Sequence, residues 1–176
     1  LIIAYFGDGS RWGLKLDYSV EDEPLSTIGP LTLIDDLPDN FLVMNGDILC
    51  DLDYRKFFDA HVAARADVSV SVYKRETEVD FGVLKYDQDM VLQEFQEKPR
   101  IMFDVSMGIY CLGKRVVEKL PRGGAYGFDN LMIDGIRQKS NIRISPFDGY
   151  WLDIGRADDY EYADQNFEQL AEKLGI

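Results

Sequence analysis

Histidine is almost absent from this 176-residue chain, cysteine occurs twice, and 19 basic residues face 32 acidic ones. Each shortage excludes something. His61 is the only histidine and lies in a helical pattern, so a histidine-based triad or a zinc site lacks the side chains to build it. Cys50 and Cys111 sit in apolar, strand-like runs and read as interior thiols rather than a disulfide, which points to the cytoplasm. The formal charge of −13 argues against a nucleic-acid or anionic-membrane surface. It also repels phosphorylated ligands, so binding one requires a cation or a local basic group. No apolar run approaches the ~20 residues that cross a bilayer, and no signal-peptide pattern is visible.

What is present is ordinary for a globular protein: 46% hydrophobic and 12% aromatic residues, enough for one domain over residues 1–176 with a substantial core. Its centre is Phe41-Leu42-Val43-Met44, four apolar residues without alternation, read as a strand buried on both faces. The run stops at Asn45-Gly46-Asp47 and so delivers a carboxylate at a strand's carboxyl end, where open α/β sheets bind ligands. Locally, Asn-Gly also reads as a hairpin turn returning through Ile48-Leu49-Cys50. The order of elements elsewhere decides against that hairpin.

Leu1 to Phe6 followed by Gly7 resembles the end of a glycine-capped helix, so the expectation is a native protein with a further N-terminal piece. Leu14, Leu16, Tyr18 and Val20 alternate with polar residues and predict a strand. Ser26 or Thr27 is expected to cap a helix whose apolar face is Leu31, Leu33, Ile34 and Leu37. Asp53 caps a helix over Tyr54 to Ala66, and Val68 to Tyr73 is a strand. Helix and strand thus alternate, the pattern of crossover connections and a mainly parallel sheet flanked by helices. Phe81–Tyr86 and Met90–Phe95 predict a hairpin closed by Gln96-Glu97-Lys98-Pro99. Val105 to Leu112 is a buried strand interrupted at Gly108, where something approaches the backbone closely. Arg115–Leu120 and Phe128–Lys139 are helical, Ile142–Phe147 is a strand, and Arg156–Leu174 is one amphipathic helix. Between the last two, Gly149 to Gly155 is a second apolar run ending in a carboxylate, Asp153.

Asp47 and Asp153 therefore each follow an apolar run and neighbour glycine. Two converging carboxylates suit Mg²⁺, which takes a few hard oxygens and keeps places for substrate phosphates. Lys98, beside Glu97 and before a rigid proline, is a candidate counter-charge for phosphate oxygens.

The series Glu23-Pro24-Leu25-Ser26-Thr27-Ile28-Gly29-Pro30, Asn45-Gly46-Asp47, Phe81-Gly82-Val83, Glu97-Lys98-Pro99, Met107-Gly108-Ile109-Tyr110 and Trp151-Leu152-Asp153-Ile154-Gly155 resembles the sugar-1-phosphate nucleotidyltransferases. Mannose-1-phosphate guanylyltransferases and glucose-1-phosphate thymidylyltransferases are its familiar members. The resemblance covers essentially the whole chain. It implies a Rossmann-like α/β fold with the N-terminal strands missing, and transfer of a nucleotidyl group from an NTP to a sugar-1-phosphate with release of pyrophosphate. By position it implies Asp47 and Asp153 as Mg²⁺ ligands, Lys98 at the sugar phosphate and Glu97 at the sugar hydroxyls. Gly46 and Ser106 fall in its substrate-binding motifs, Gly82 and Gly108 would let backbone lie against the sugar, and Thr27 and Gly29 would border the nucleobase. The glycine-rich phosphate loop of the family has no match here. Ser26 stands where glycine is common, Ile28 where alanine is common and Ser106 where asparagine is common.

Two other readings belong beside this one. Asp51-Leu52-Asp53 offers an Asp-x-Asp metal motif, as in a nucleotide-sugar-dependent glycosyltransferase, although Asp53 also serves as a helix cap. The third is a non-catalytic nucleotidyltransferase-like binding module. Self-association, or a partner carrying the missing strands, is expected from the apolar surface that a central strand would otherwise cover.

Overall fold

In the computed structural model, residues 1–175 are described. In chain order the elements are α1 (Ile2–Phe6), β1 (Asn40–Met44), β2 (Ile48–Cys50), α2 (Tyr54–Ala64), β3 (Val68–Glu78), β4 (Val83–Tyr86), β5 (Leu92–Gln96), β6 (Arg100–Gly113), α3 (Lys114–Val117), α4 (Phe128–Arg137), β7 (Ile142–Phe147), β8 (Trp151–Asp153), α5 (Ala157–Gln165) and α6 (Phe167–Leu174). They form two compact units, Leu1–Phe41 with Gly113–Asn141, and Leu42–Leu112 with the segment from Ile142 onward. No helix among the described residues is long and apolar enough to cross a membrane.

The larger unit is a mixed α/β arrangement. A four-stranded sheet runs in the order β1-β6-β3-β7, with β3 antiparallel to β6 and parallel to β7. Within β6, Met107, Ile109 and Cys111 share one face and pack with Phe57 of α2 into the core. Tyr110 and Leu112, on the opposite face, are buried as well. The strand enclosed on both sides is therefore this half of β6. The Phe41–Met44 run, expected to be buried on both faces, is half-buried from Phe41 to Val43 and exposed at Met44, because β1 holds the end position in the sheet.

The hairpin at Asn45-Gly46 does not form. β1 joins the four-stranded sheet, while β2 pairs with β8, Ile48 opposite Asp153 and Cys50 opposite Trp151. The hairpin expected near Phe81–Phe95 is present as β4 and β5. Both cysteines are free thiols, Cys111 buried and Cys50 half-buried.

Three sequence expectations need correction. The alternating Leu14–Val20 segment is not a strand: Val20 is 74% exposed, and the segment turns back through Leu16 N–H to the Asp8 carbonyl and Tyr18 Oη to the Gly7 carbonyl. Alternation supplies one apolar face, but a strand also needs a neighbour to take its amides. The helix expected after Ser26 shrinks to a 3₁₀ turn at Gly29–Leu33. Ser26 adopts φ of 65°, in the left-handed region, so it cannot begin a helical turn. The C-terminal amphipathic helix is two helices divided at Asn166, whose side chain donates to the Tyr162 carbonyl and ends α5. The acidic first turn of α5, Asp158 and Asp159, lies where its dipole favours negative charge.

Candidate functional site

Strand ends in the larger unit gather the carboxylates. β1 stops at Met44, where the Asn45 amide donates to the Gly108 carbonyl at 2.9 Å. Two residues on, the Asp47 carbonyl accepts the Ile154 amide at 2.9 Å. This bond continues the β2–β8 pairing and fixes the two aspartate-bearing turns against each other. Asp153 Oδ1 accepts the Gly155 amide at 2.9 Å. A side-chain carbon on Gly155 would lie 2.9 Å from Asp47 Oδ2 and 3.0 Å from Asp153 Oδ1, so both carboxylates flank one point beside this glycine. Glycine is needed there for space.

Gly108 lines the neighbouring turn and is constrained twice over. Its φ is 74°, and a Cβ would meet Asn45 Nδ2 at 2.7 Å. Ser106, two residues earlier, donates to Tyr110 Oη at 3.0 Å. Trp151, two residues before Asp153, donates its indole N–H to the Met107 carbonyl at 3.1 Å, which ties β8 to the core strand β6.

The hairpin brings a second pair together. A Cβ on Gly82 would strike the Phe95 ring and come within 3.2 Å of Glu97 Oε2. Lys98 is exposed and takes φ of 43° at the turn into Pro99. Among the described residues it forms no ion pair with Asp47 or Asp153. Gly46 faces open space.

Thr27 and Gly29 lie in the other unit. Thr27 Oγ1 accepts the Phe128 amide at 2.9 Å and so caps α4 rather than a helix of its own. Gly29 donates to the Tyr126 carbonyl at 2.9 Å and packs against Leu25, too close for a Cβ. Ile28 is 1% exposed, so the bulk it adds is absorbed by that unit's interior. Tyr126 donates to Asp134 at 2.9 Å, and burial followed by that carboxylate pushes its phenol up to about 12.

Both carboxylates of the Asp-x-Asp motif have structural partners. Asp51 Oδ1 accepts the Tyr150 amide at 2.7 Å, and Asp53 Oδ1 caps α2 through the Lys56 amide at 2.8 Å. His61, buried in α2, shares a hydrogen bond of 2.8 Å with Ser69 Oγ. Sequence reasoning missed the spacer role of Gly155 and the Trp151–Met107 tie, because both join segments distant in the chain. The Asp-x-Gly spacing was the available signal for Gly155.

The larger unit is thus an α/β arrangement that collects two aspartates at strand ends. The chain belongs to the nucleotidyl transferase family, whose profile matches residues 2–169. It is 27% identical over 159 residues to the mannose-1-phosphate guanylyltransferase catalytic subunit beta of Drosophila pseudoobscura pseudoobscura, covering 87% of this chain and 43% of that protein. With the mannose-1-phosphate guanylyltransferase of Mycobacterium tuberculosis it shares 27% identity, covering 89% of this chain and 45% of that one. The chain thus spans less than half the length of these relatives. Among solved structures it resembles HddC from Yersinia pseudotuberculosis, with a TM-score of 0.67, 26% identity, and coverage of 94% of this chain and 73% of that one. A putative glucose-1-phosphate thymidylyltransferase from Bacillus anthracis shares the fold, with a TM-score of 0.68, 21% identity, and coverage of 99% and 72%.

Proposed function

We propose that this chain serves a sugar-1-phosphate nucleotidyltransferase, which moves a nucleotidyl group from an NTP to a sugar-1-phosphate and releases pyrophosphate. The observation that carries the reading is the convergence of Asp47 and Asp153 on one point beside Gly155 in a chain of this family. The names of the guanylyltransferase relatives and of a structural neighbour described as complexed with GMP-PN support it.

The donor set fits Mg²⁺: hard carboxylate oxygens at two strand ends, that of Asp153 held by the Gly155 amide and Asp47 fixed through its main-chain carbonyl, with room left for substrate oxygens. When bound, the cation supplies charge neutralisation at the phosphorus under attack. In-line displacement asks the protein for positioning and charge rather than a strong base. Asp47 and Asp153 hold the cation, and Lys98 neutralises the sugar phosphate. Glu97, brought beside Gly82, accepts from sugar hydroxyls. Gly82 and Gly108 keep the backbone open to the ring, with Ser106 and Gly46 at its margin. Thr27 and Gly29 contact the nucleobase.

Pyrophosphate release is the test, measured with Mg²⁺ over a panel of NTPs and sugar-1-phosphates, using this chain beside a version extended upstream. Release that requires both substrates and disappears with chelator is the expected outcome. Folded protein that releases nothing in either version overturns the enzymatic reading and favours a binding module. Consumption of a nucleotide sugar with an acceptor favours the glycosyltransferase.

A further inference from the structure

Beside Asp153 lies a cavity of about 410 Å³, within the usual range for small-ligand pockets, bordered by Arg75, Thr77, Trp151 and Arg156. We infer that Arg75 and Arg156 make it a subsite for a second anionic group on the sugar, so that the preferred sugar-1-phosphate also carries a carboxylate or a further phosphate. This rests on the nucleotidyl-transfer reading and names its substrate class.

Four observations carry it. Arg75 is pre-placed: its guanidinium lies 4.9 Å from the centre of the Trp151 ring, whose indole is itself held by the Met107 carbonyl. Stacking fixes the plane of a guanidinium while leaving its N–H edge open to a ligand. Neither arginine forms an ion pair among the described residues, although Asp159 borders the same cavity. In a chain of charge −13, two uncommitted cations offset the two carboxylates, Asp153 and Asp159, that line the same cavity. Finally, Lys98, which the proposed reading gives to the anomeric phosphate, does not border this cavity and leaves the arginines available for another group. Planar, forked donors match carboxylate and phosphate oxygens in pairs, and neutral hydroxyls do not require two such groups.

The experiment titrates the Mg²⁺-loaded protein calorimetrically with hexose-1-phosphate, hexuronate-1-phosphate and hexose-1,6-bisphosphate. Pyrophosphate release is followed in parallel with the same sugars. The two sugars with a second anionic group are expected to bind about tenfold tighter than hexose-1-phosphate, the worth of one charge-assisted bond pair. In Arg75→Ala, and in Arg156→Gln as a second variant, that ratio falls toward one. Because the ratio is taken within each variant, a partly misfolded preparation does not imitate the result. Equal affinities for the three sugars, or a preference that survives both substitutions, overturns the inference. Weakened NTP binding in the variants at an unchanged sugar ratio assigns the arginines to the triphosphate and also overturns it. Failure of the enzymatic reading shows separately, as no release with any sugar while the binding ratio persists.

Discussion

The β2–β8 ribbon carries an aspartate and a glycine at each end, and its two ends behave differently. At one end Asp47 and Asp153 flank Gly155, with one carboxylate oxygen taken by a backbone amide among the described residues. At the other, Asp51 faces Gly149 and accepts the Tyr150 amide at Oδ1, while Asp53 accepts the Lys56 amide as the cap of α2. The residue types are the same and the elements are the same. A carboxylate whose oxygens are engaged by amides builds structure, whereas two carboxylates that share a point and keep oxygens free can hold a cation.

The sharpest test of that contrast exchanges one charge at each end. In the form of the protein that turns over, Asp47→Asn or Asp153→Asn is expected to lower pyrophosphate release by about a hundredfold or more, as loss of charge stabilisation at a reacting phosphorus would. Thermal melting of both variants should stay near the parent. Asp51→Ala should do the reverse, with turnover kept within a few-fold and stability lowered by about 1–2 kcal/mol in denaturant titrations. If Asp51→Ala abolishes turnover while Asp47→Asn does not, the two ends have been assigned the wrong way round.

Glycine substitutions sharpen it next. Gly155→Ala places a carbon against two carboxylate oxygens, so the expected effect is about tenfold or more in the Mg²⁺ concentration needed for half-maximal activity. Gly149→Ala runs into the Phe147 ring, and a loss of about 1–3 kcal/mol is expected in the same denaturant assay. Asp53→Ala should cost about 1 kcal/mol by removing the α2 cap, without changing the metal requirement.

The smallest effect lies in the other unit and follows pH. Tyr126 keeps its proton to about 12 in the fold, whereas an unfolded tyrosine loses it near 10. The folded state therefore holds more protons between those values, and stability falls as pH rises through that window. Below it the contribution is fully present. Tyr126→Phe should flatten this alkaline slope in melting curves recorded from pH 9 to 12, and an unchanged slope would remove Tyr126 as its source.

Much of the architecture was readable from local signals. Val68–Tyr73 and Val105–Leu112 are β-branched or apolar runs that no helical pattern fits, and both are strands. Asp53 before an apolar stripe announced the cap of α2. Asp47 and Asp153 were legible as candidates because each ends an apolar run beside glycine. Other features depended on partners the sequence does not name. Leu14–Val20 alternates as a strand would, yet no strand among the described residues takes its amides. Thr27 is a capping residue, but the helix it caps begins at Phe128, 101 residues along the chain, and only folding joins the two.

By itself, then, the sequence determined much of the succession of helices and strands and the delivery of two carboxylates to strand ends. These follow from periodicity, composition and turn chemistry, which act over a few residues. The tertiary structure decided that β2 pairs with β8 rather than returning along β1, that β6 is the strand buried on both faces, and that Asp47 meets Asp153 across Gly155 while Asp51 is consumed by Tyr150. Strand pairing is chosen by which distant segments bury the most apolar surface together and satisfy each other's amides, a choice made over the whole chain at once.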